Sequence, residues 1–251
     1  MKIILSPAKR LNEKFEGNLG IGTELNFLSH SQRLMKILKK LKKSEISELM
    51  KLSDALTDLN YSRFKLWKKS DVFEKGKPCV FLFEGDAYRG LDIESFSEVE
   101  LQSLNDKLYI LSGLYGILKP FDKVLPYRLE MGTKLENPKG KNLYDFWKSD
   151  LTKYLKKELK GELLINLASK EYASAIDFSK LKSTVVQVDF LQEKDGVYKN
   201  IAIFAKRARG LMTAFIAKNN PVNIEELKTF DAEDYFYNSH LSKENHLVFT
   251  R

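Results

Sequence analysis

The chain is poor in sulfur and in imidazole. Among its 251 residues there is one cysteine and there are three histidines. Cys79 has no partner for an internal disulfide, and the expectation is a reducing, cytoplasmic setting. His30, His240 and His246 are far apart in sequence and have no cysteine beside them, so no zinc pattern forms. No apolar run approaches the roughly 18 residues that a membrane helix needs. The opening MKIILSPAKR holds only Ile3-Ile4-Leu5 before Ser6-Pro7, too short for a signal peptide and suited to a first core strand. Also missing are a Walker phosphate loop, a G-x-S-x-G elbow, an H-E-x-x-H pair and a G-x-G-x-x-G turn. These absences exclude a disulfide scaffold and the common nucleotide, hydrolase and zinc-protease signatures. No cofactor and no metal are expected; carboxylates at Asp86, Glu130 and Glu171 are a weak metal signal on their own.

What is present suits a folded protein. Hydrophobic residues make up 43% and aromatic residues 12%, too much for a disordered chain. There is no repeat, no low-complexity tract and no clean linker, so residues 1–251 read as a single domain. Forty-two Lys and Arg face thirty-four acids, a net charge of +8 that points weakly to a polyanionic partner.

Strands and helices alternate along the chain. Lys2–Leu5, Cys79–Phe83, Leu108–Leu111 and Leu163–Leu167 read as buried strands. Ser183–Leu191 and Val197–Ala205 read as a strand pair joined at Asp195-Gly196. Helical spacing is seen over about 32–42, from Ser44 onward, over 54–67, 95–104, 140–160 and 211–218. Residues 12–29, with Gly17, Gly20 and Gly22, look irregular, and 70–78 reads as a charged linker. The first helix carries a basic face of Arg33, Lys36, Lys39, Lys40 and Lys42, which is more often solvated surface than a ligand site. The predicted fold is mixed α/β (α+β): one mixed sheet flanked by helices.

Chemistry gathers at strand ends. The organising stretch is Leu108–Met131, LYILSGLYGILKPFDKVLPYRLEM. It starts as a buried strand, breaks at Gly113 and Gly116, and ends with Arg128 and Glu130, which share a face if extended. Ser6 and Lys9 follow the first strand, Asp86 follows the Cys79 run, and Ser169 and Glu171 follow Leu163–Leu167. Lys206, Arg207 and Arg209 sit where the last run meets a helix. In open α/β sheets ligands collect at the carboxyl ends of strands. A converging set of Ser6, Lys9, Asp86, Ser112, Tyr115, Arg128, Glu130, Ser169, Glu171, Lys206 and Arg209 would suit a phosphate-bearing ligand.

The pieces ILSPAKRL, LMKLSDALTDLNYSRFKLW, FEGDAYRGL, LSGLYGILKPFDKVLPYRLEMGTKL, NLYDFW, NLASKEY and AKRARGLM run in order along nearly the whole chain. In these the chain resembles the bacterial peroxide stress resistance proteins of the YaaA family. Arg10 and Ala87 stand where that family usually has Thr and Val. The resemblance implies a cytoplasmic protein of the hydrogen peroxide stress response, linked to lowering free intracellular iron and to DNA binding. It also implies an unusual α/β fold with a helix-hairpin-helix element and a positively charged cleft. Two stretches compete for that element: the basic helix pair around 32–52, and Leu111–Leu118, whose glycines favour it.

The leading expectation is therefore a monomeric protein that binds duplex, distorted or branched DNA by shape, without a membrane. Its phosphate contacts would come from Ser6, Lys9, Ser112, Gly113, Tyr115, Gly116, Arg128, Ser169, Lys206, Arg207 and Arg209. The alternative is an enzyme acting on a nucleotide or damaged nucleic acid at the strand-end pocket, with Asp86, Glu130 or Glu171 as candidate catalytic groups. Direct iron binding ranks third.

Overall fold

The computed structural model describes residues 1–14, 23 and 25–251; Gly17, Gly20 and Gly22 lie outside the described residues. At its centre is an 8-stranded sheet. Its strands are β1 (Lys2–Leu5), β2 (Leu108–Ser112), β3 (Gly116–Leu118), β4 (Leu164–Leu167), β5 (Val185–Lys194), β6 (Val197–Lys199), β7 (Phe236–Tyr237) and β8 (His246–Thr250). They stand in the order β7-β8-β5-β4-β1-β2-β3, with β6 paired to β5. The central strands β2, β1, β4, β5 and β8 are all parallel, and β3, β6 and β7 are antiparallel additions.

Nearly every residue of β1, β2 and β4 is buried, which is why they read as continuous apolar runs. The register aligns Tyr109, Ile4, Asn166 and Gln187 on one face and places Phe190 on the other. Helix α8 (Leu143–Leu159) covers the first face: Tyr109 donates to Glu158 at 3.2 Å, and the Trp147 indole donates to the Gly113 carbonyl at 2.9 Å. Helix α10 (Ala202–Asn219) covers the second, where its Phe215 meets Phe230 and Phe230 meets Phe190. Helices α6 (Asp86–Leu91) and α7 (Glu98–Lys107) pack against α10. A separate helical layer is formed by α1 (Leu28–Leu38), α2 (Lys43–Met50), α3 (Asp54–Leu66) and α4 (Lys69–Lys75). The remaining short helices are α5 (Cys79–Leu82), α9 (Lys170–Ala173) and α11 (Ile224–Leu227). Local signals set several boundaries. Ser97 and Glu100 form a capping box on α7, Asn142 accepts from the Asp145 amide to start α8, and Lys160 ends α8 in the left-handed region. Among the described residues no helix is long and apolar enough to cross a membrane.

Several expectations need correction. The apolar run at Cys79 is one helical turn and not a strand. Its Cys79 and Val80 amides bond to the Asp122 and Pro120 carbonyls, at 2.9 and 3.0 Å, so a loop takes the place of a strand partner. Leu111–Leu118 is no helical hairpin, because Leu111 pairs with Ile117 and Ser112 with Gly116 as antiparallel strands. The second arm of the Asp195-Gly196 hairpin stops at Lys199, and a helix begins at Ala202. Alanine at 202, 205, 208, 214 and 217, the best helix former, outweighs the β-branched residues there. Lys206, Arg207 and Arg209 thus lie within α10 and not in a loop. The 70–78 linker contains most of α4, and α1 starts at Leu28, inside the stretch read as irregular.

α6 and α10 cross with their backbones touching. A Cβ on Gly210 would stand 1.8 Å from the Ala87 carbonyl oxygen, and one on Gly90 would stand 2.2 Å from that of Arg207. Gly210→Ala must separate these helices, and overpacking of this kind costs about 1–3 kcal/mol. A urea melt should show a lower midpoint with an unchanged slope. An unaltered midpoint would show that the crossing yields without cost.

Among the described residues Asp122 is the one buried acid, at 1% exposure. It accepts from Thr23 and, at 2.9 Å, from the Lys119 amide. Burial nevertheless pushes its carboxyl up to about 6 from an ordinary 3.8. With the folded pKa raised, the folded state binds the extra proton. Its contribution to stability is therefore present below pH 4 and is lost as pH rises through 6. Asp122→Asn removes that loss, so the variant should gain on wild type by ~2–3 kcal/mol between pH 4 and pH 7. Melts at the two pH values read the gain, and a pH-independent difference would mean the carboxylate is hydrated.

Candidate functional site

The connections from β1 lead to β2 on one side, and the chain then crosses to β4 on the other. The carboxyl ends of β1 and β4 therefore flank a topological switch point, the place where open α/β sheets bind ligands. Ser6 follows β1 and Ser169 follows β4. The Ser169 amide donates to Ser6 Oγ at 2.9 Å, and the two hydroxyls are 3.3 Å apart. Tyr88 of α6 donates to the Ser6 carbonyl at 3.1 Å and ties α6 to this edge.

The Arg128–Glu130 segment is brought here by Gly113. A Cβ on Gly113 would lie 2.3 Å from the Leu129 carbonyl oxygen, so only glycine lets the segment lie across the end of β2. Arg128 and Glu130 then point the same way, as expected for extended chain, and pair at 3.2 Å. Lys9 closes on the other Glu130 oxygen at 2.6 Å, its side chain 61% exposed against 25% for Glu130. Glu171 accepts from the Gly132 amide at 2.8 Å and so clamps the segment to the end of β4. The structure thus brings together Ser6, Lys9, Arg128, Glu130, Ser169 and Glu171. Arg128 Nε is buried with no hydrogen-bond partner among the described residues.

The other expected contacts fall elsewhere. Asp86 pairs with Arg89 at 3.0 Å at the start of α6. Ser112, Gly113, Tyr115 and Gly116 are structural. Ser112 Oγ shares a 2.6 Å bond with the Tyr127 hydroxyl and accepts from the Tyr115 amide. Tyr115 OH accepts from the Trp67 indole at 3.0 Å, and Gly116 lies against the Trp147 ring. Both Ser112 and Tyr115 are buried, and burial pushes the Tyr115 and Tyr127 phenols well above their ordinary value. No surface remains there for a phosphate. On α10, Lys206 is exposed, Arg207 is held by Glu233 at 2.5 Å, and Arg209 is largely covered. Burial lowers the Arg209 guanidinium from its usual value, opposed by Asp189. The catalytic candidates are also occupied. Each Glu130 oxygen is held by a cation, Asp86 by Arg89, and Glu171 by an amide, so none stands as an unengaged base.

Sequence reasoning missed a polar ladder beyond the switch point, where Asn166 donates to Gln187 at 2.6 Å and His246 meets Asp189 at 2.8 Å. It also discounted the lysine face of the helical layer. Gln32, Met35, Lys36, Lys39, Trp67, Lys68 and Lys69 line a hollow of about 230 Å³. Lys39 donates to the Trp67 carbonyl at 2.6 Å. The lysine and arginine ion pairs of this layer join Lys43 to Asp58, Arg63 to Glu13 and Lys75 to Asp71; Lys36, Lys40, Lys68 and Lys69 enter none among the described residues. The pair of adjacent lysines after Trp67, read with the stripe on α1, is the signal that would have found it. No group of side chains suited to a metal ion occurs among the described residues.

These features define a doubly wound α/β protein with a half-buried, mixed-charge cluster at its switch point and a separate basic helical face. Residues 1–241 match the family model described as peroxide stress protein YaaA. A UPF0246 protein of Flavobacterium johnsoniae is 50% identical over 252 residues, covering all of both chains. Relatives of the same designation from Aliivibrio fischeri and Idiomarina loihiensis are 44% and 42% identical, over all of this chain and 98% of theirs. The chain belongs to the peroxide stress protein YaaA family.

Cys79 bears on that membership. It is fully buried and its thiol contacts the Lys119 and Pro120 carbonyls. Burial pushes the thiol well above its ordinary value. Reaction with peroxide needs an accessible thiolate. Native protein should therefore take up iodoacetamide far more slowly than protein in denaturant, as read by mass spectrometry. Equal rates would make Cys79 a candidate sensor.

Proposed function

We propose that this protein serves in peroxide stress as a cytoplasmic, monomeric DNA-binding protein. It engages phosphates with the lysine face of α1 and the α3–α4 junction and keeps free iron from damaging the strand beneath it. The observation that carries the reading is the distribution of unpaired charge. Lys9 and Arg128 are neutralised by Glu130 and Arg207 by Glu233, and Lys206 stands exposed by itself, whereas Lys36, Lys40, Lys68 and Lys69 gather on one face and lack carboxylate partners among the described residues. Unpaired surface cations release counterions from DNA without first breaking an ion pair. The helix-hairpin-helix role then falls to α1 and α2, a helical pair joined through Lys39–Lys42, and the basic hollow beside Trp67 is the cleft. The lysines of this face contact backbone phosphates, which carry no base code, so recognition is of shape.

Fluorescence anisotropy with duplex, single-stranded and branched DNA across a salt series tests this. The Lys36→Glu/Lys40→Glu/Lys68→Glu variant changes only exposed side chains. It should bind about tenfold more weakly or worse, with a salt dependence shallower by about 0.9 for each phosphate no longer neutralised. Lys206→Ala should change little. Undiminished binding in the triple variant would remove this face from consideration.

A further inference from the structure

At the switch point Lys9 and Arg128 pair with Glu130, and Glu171 holds the Gly132 amide. These groups and the Ser6 and Ser169 hydroxyls are gathered from three strand ends, Lys9 exposed and the others half-buried, at the place where this topology binds ligands. Polar groups so gathered retain bonding capacity. Ser6 and Ser169 are bonded to each other and can each form further bonds. Lys9 pairs with Glu130 and is otherwise open to solvent, and Glu171 engages one oxygen.

We propose that this cluster is a binding site for a small sugar phosphate, such as the ribose 5-phosphate unit of a mononucleotide. The Ser6 and Ser169 hydroxyls and the Lys9 ammonium would hold the phosphate. The free lone pairs of Glu130 and Glu171 would accept from the sugar hydroxyls. The chemistry discriminates among simpler ligands. Free phosphate satisfies the ammonium and the hydroxyls but offers no sugar hydroxyl to donate to the remaining lone pairs of the two carboxylates. An amino acid or amine would have to displace Lys9 or Arg128 from Glu130. A sugar hydroxyl adds to the carboxylates without breaking either ion pair. This proposal does not rest on the DNA-binding reading, because it uses none of the same residues.

Isothermal titration calorimetry on the full chain tests it, with ribose 5-phosphate, adenosine 5′-monophosphate, inorganic phosphate and ribose as probes. The two sugar phosphates should bind with similar affinity, at least about tenfold tighter than inorganic phosphate or ribose, as expected when charge-assisted bonds add to hydroxyl bonds. Lys9→Met alters an exposed side chain and should weaken sugar-phosphate binding about tenfold. Ser169→Ala should weaken it by a smaller factor. Circular dichroism melts confirm that each variant is folded. The lysine-face triple variant should bind the sugar phosphates as wild type does, and Lys9→Met should leave the DNA isotherm unchanged. The proposal is overturned if inorganic phosphate binds as well as ribose 5-phosphate. Indifference of folded Lys9→Met and Ser169→Ala, absence of heat at millimolar ligand, or disappearance of binding only in the triple variant would overturn it equally.

Discussion

The contact of the Leu129 carbonyl with Gly113 is the constraint on which the functional end of this molecule depends. Any side chain at position 113 would hold the 126–131 segment off the end of β2. Glu130, with Arg128 paired to it, would then miss Lys9, and the Gly132 amide would miss Glu171. One close backbone approach thus joins the carboxyl ends of β1, β2 and β4 into a single polar surface. The Trp147 indole, bonded to the Gly113 carbonyl, pins the same turn from the α8 side.

Charge in this protein is sorted by where it can be neutralised. Arginines near the sheet are partnered or covered: Arg128 by Glu130, Arg207 by Glu233, Arg209 under neighbouring side chains. Their planar heads suit such fixed geometry. The excess that makes the chain basic is lysine on the helical layer, held on flexible stems in solvent. A count of cations in the sequence cannot separate the two populations. That is why the dense Lys206–Arg209 run stands out in the sequence above the stripe on α1.

Much of the architecture was legible. Apolar runs at 2–5, 108–111 and 163–167 became buried parallel strands, and helical spacing marked α3, α8 and the pair α1–α2. The convergence of Ser6, Lys9, Ser169 and Glu171 followed from their positions soon after strands, and Arg128 and Glu130 reach them through the close approach at Gly113. The failures had specific physical causes. Cys79–Leu82 is apolar because it is buried, and burial alone does not separate a strand from a helical turn. Ser112, Tyr115 and Gly116 carry polar or flexible chemistry but direct it inward, to Tyr127, Trp67 and Trp147. The Gly90 and Gly210 positions lie in loops by composition, yet their role is a helix crossing that only a three-dimensional view supplies.

The sealed environment of Cys79 also bears on how such a protein works during an oxidant pulse. Its lone thiol is walled in by the Lys119–Asp122 turn, and Met35, Met131 and Met212 are buried as well. Peroxide reaches these four sulfur atoms only when the core opens, whereas Met1 and Met50 are partly exposed. Oxidation at Cys79 therefore follows opening of the core and reads out how often the core opens.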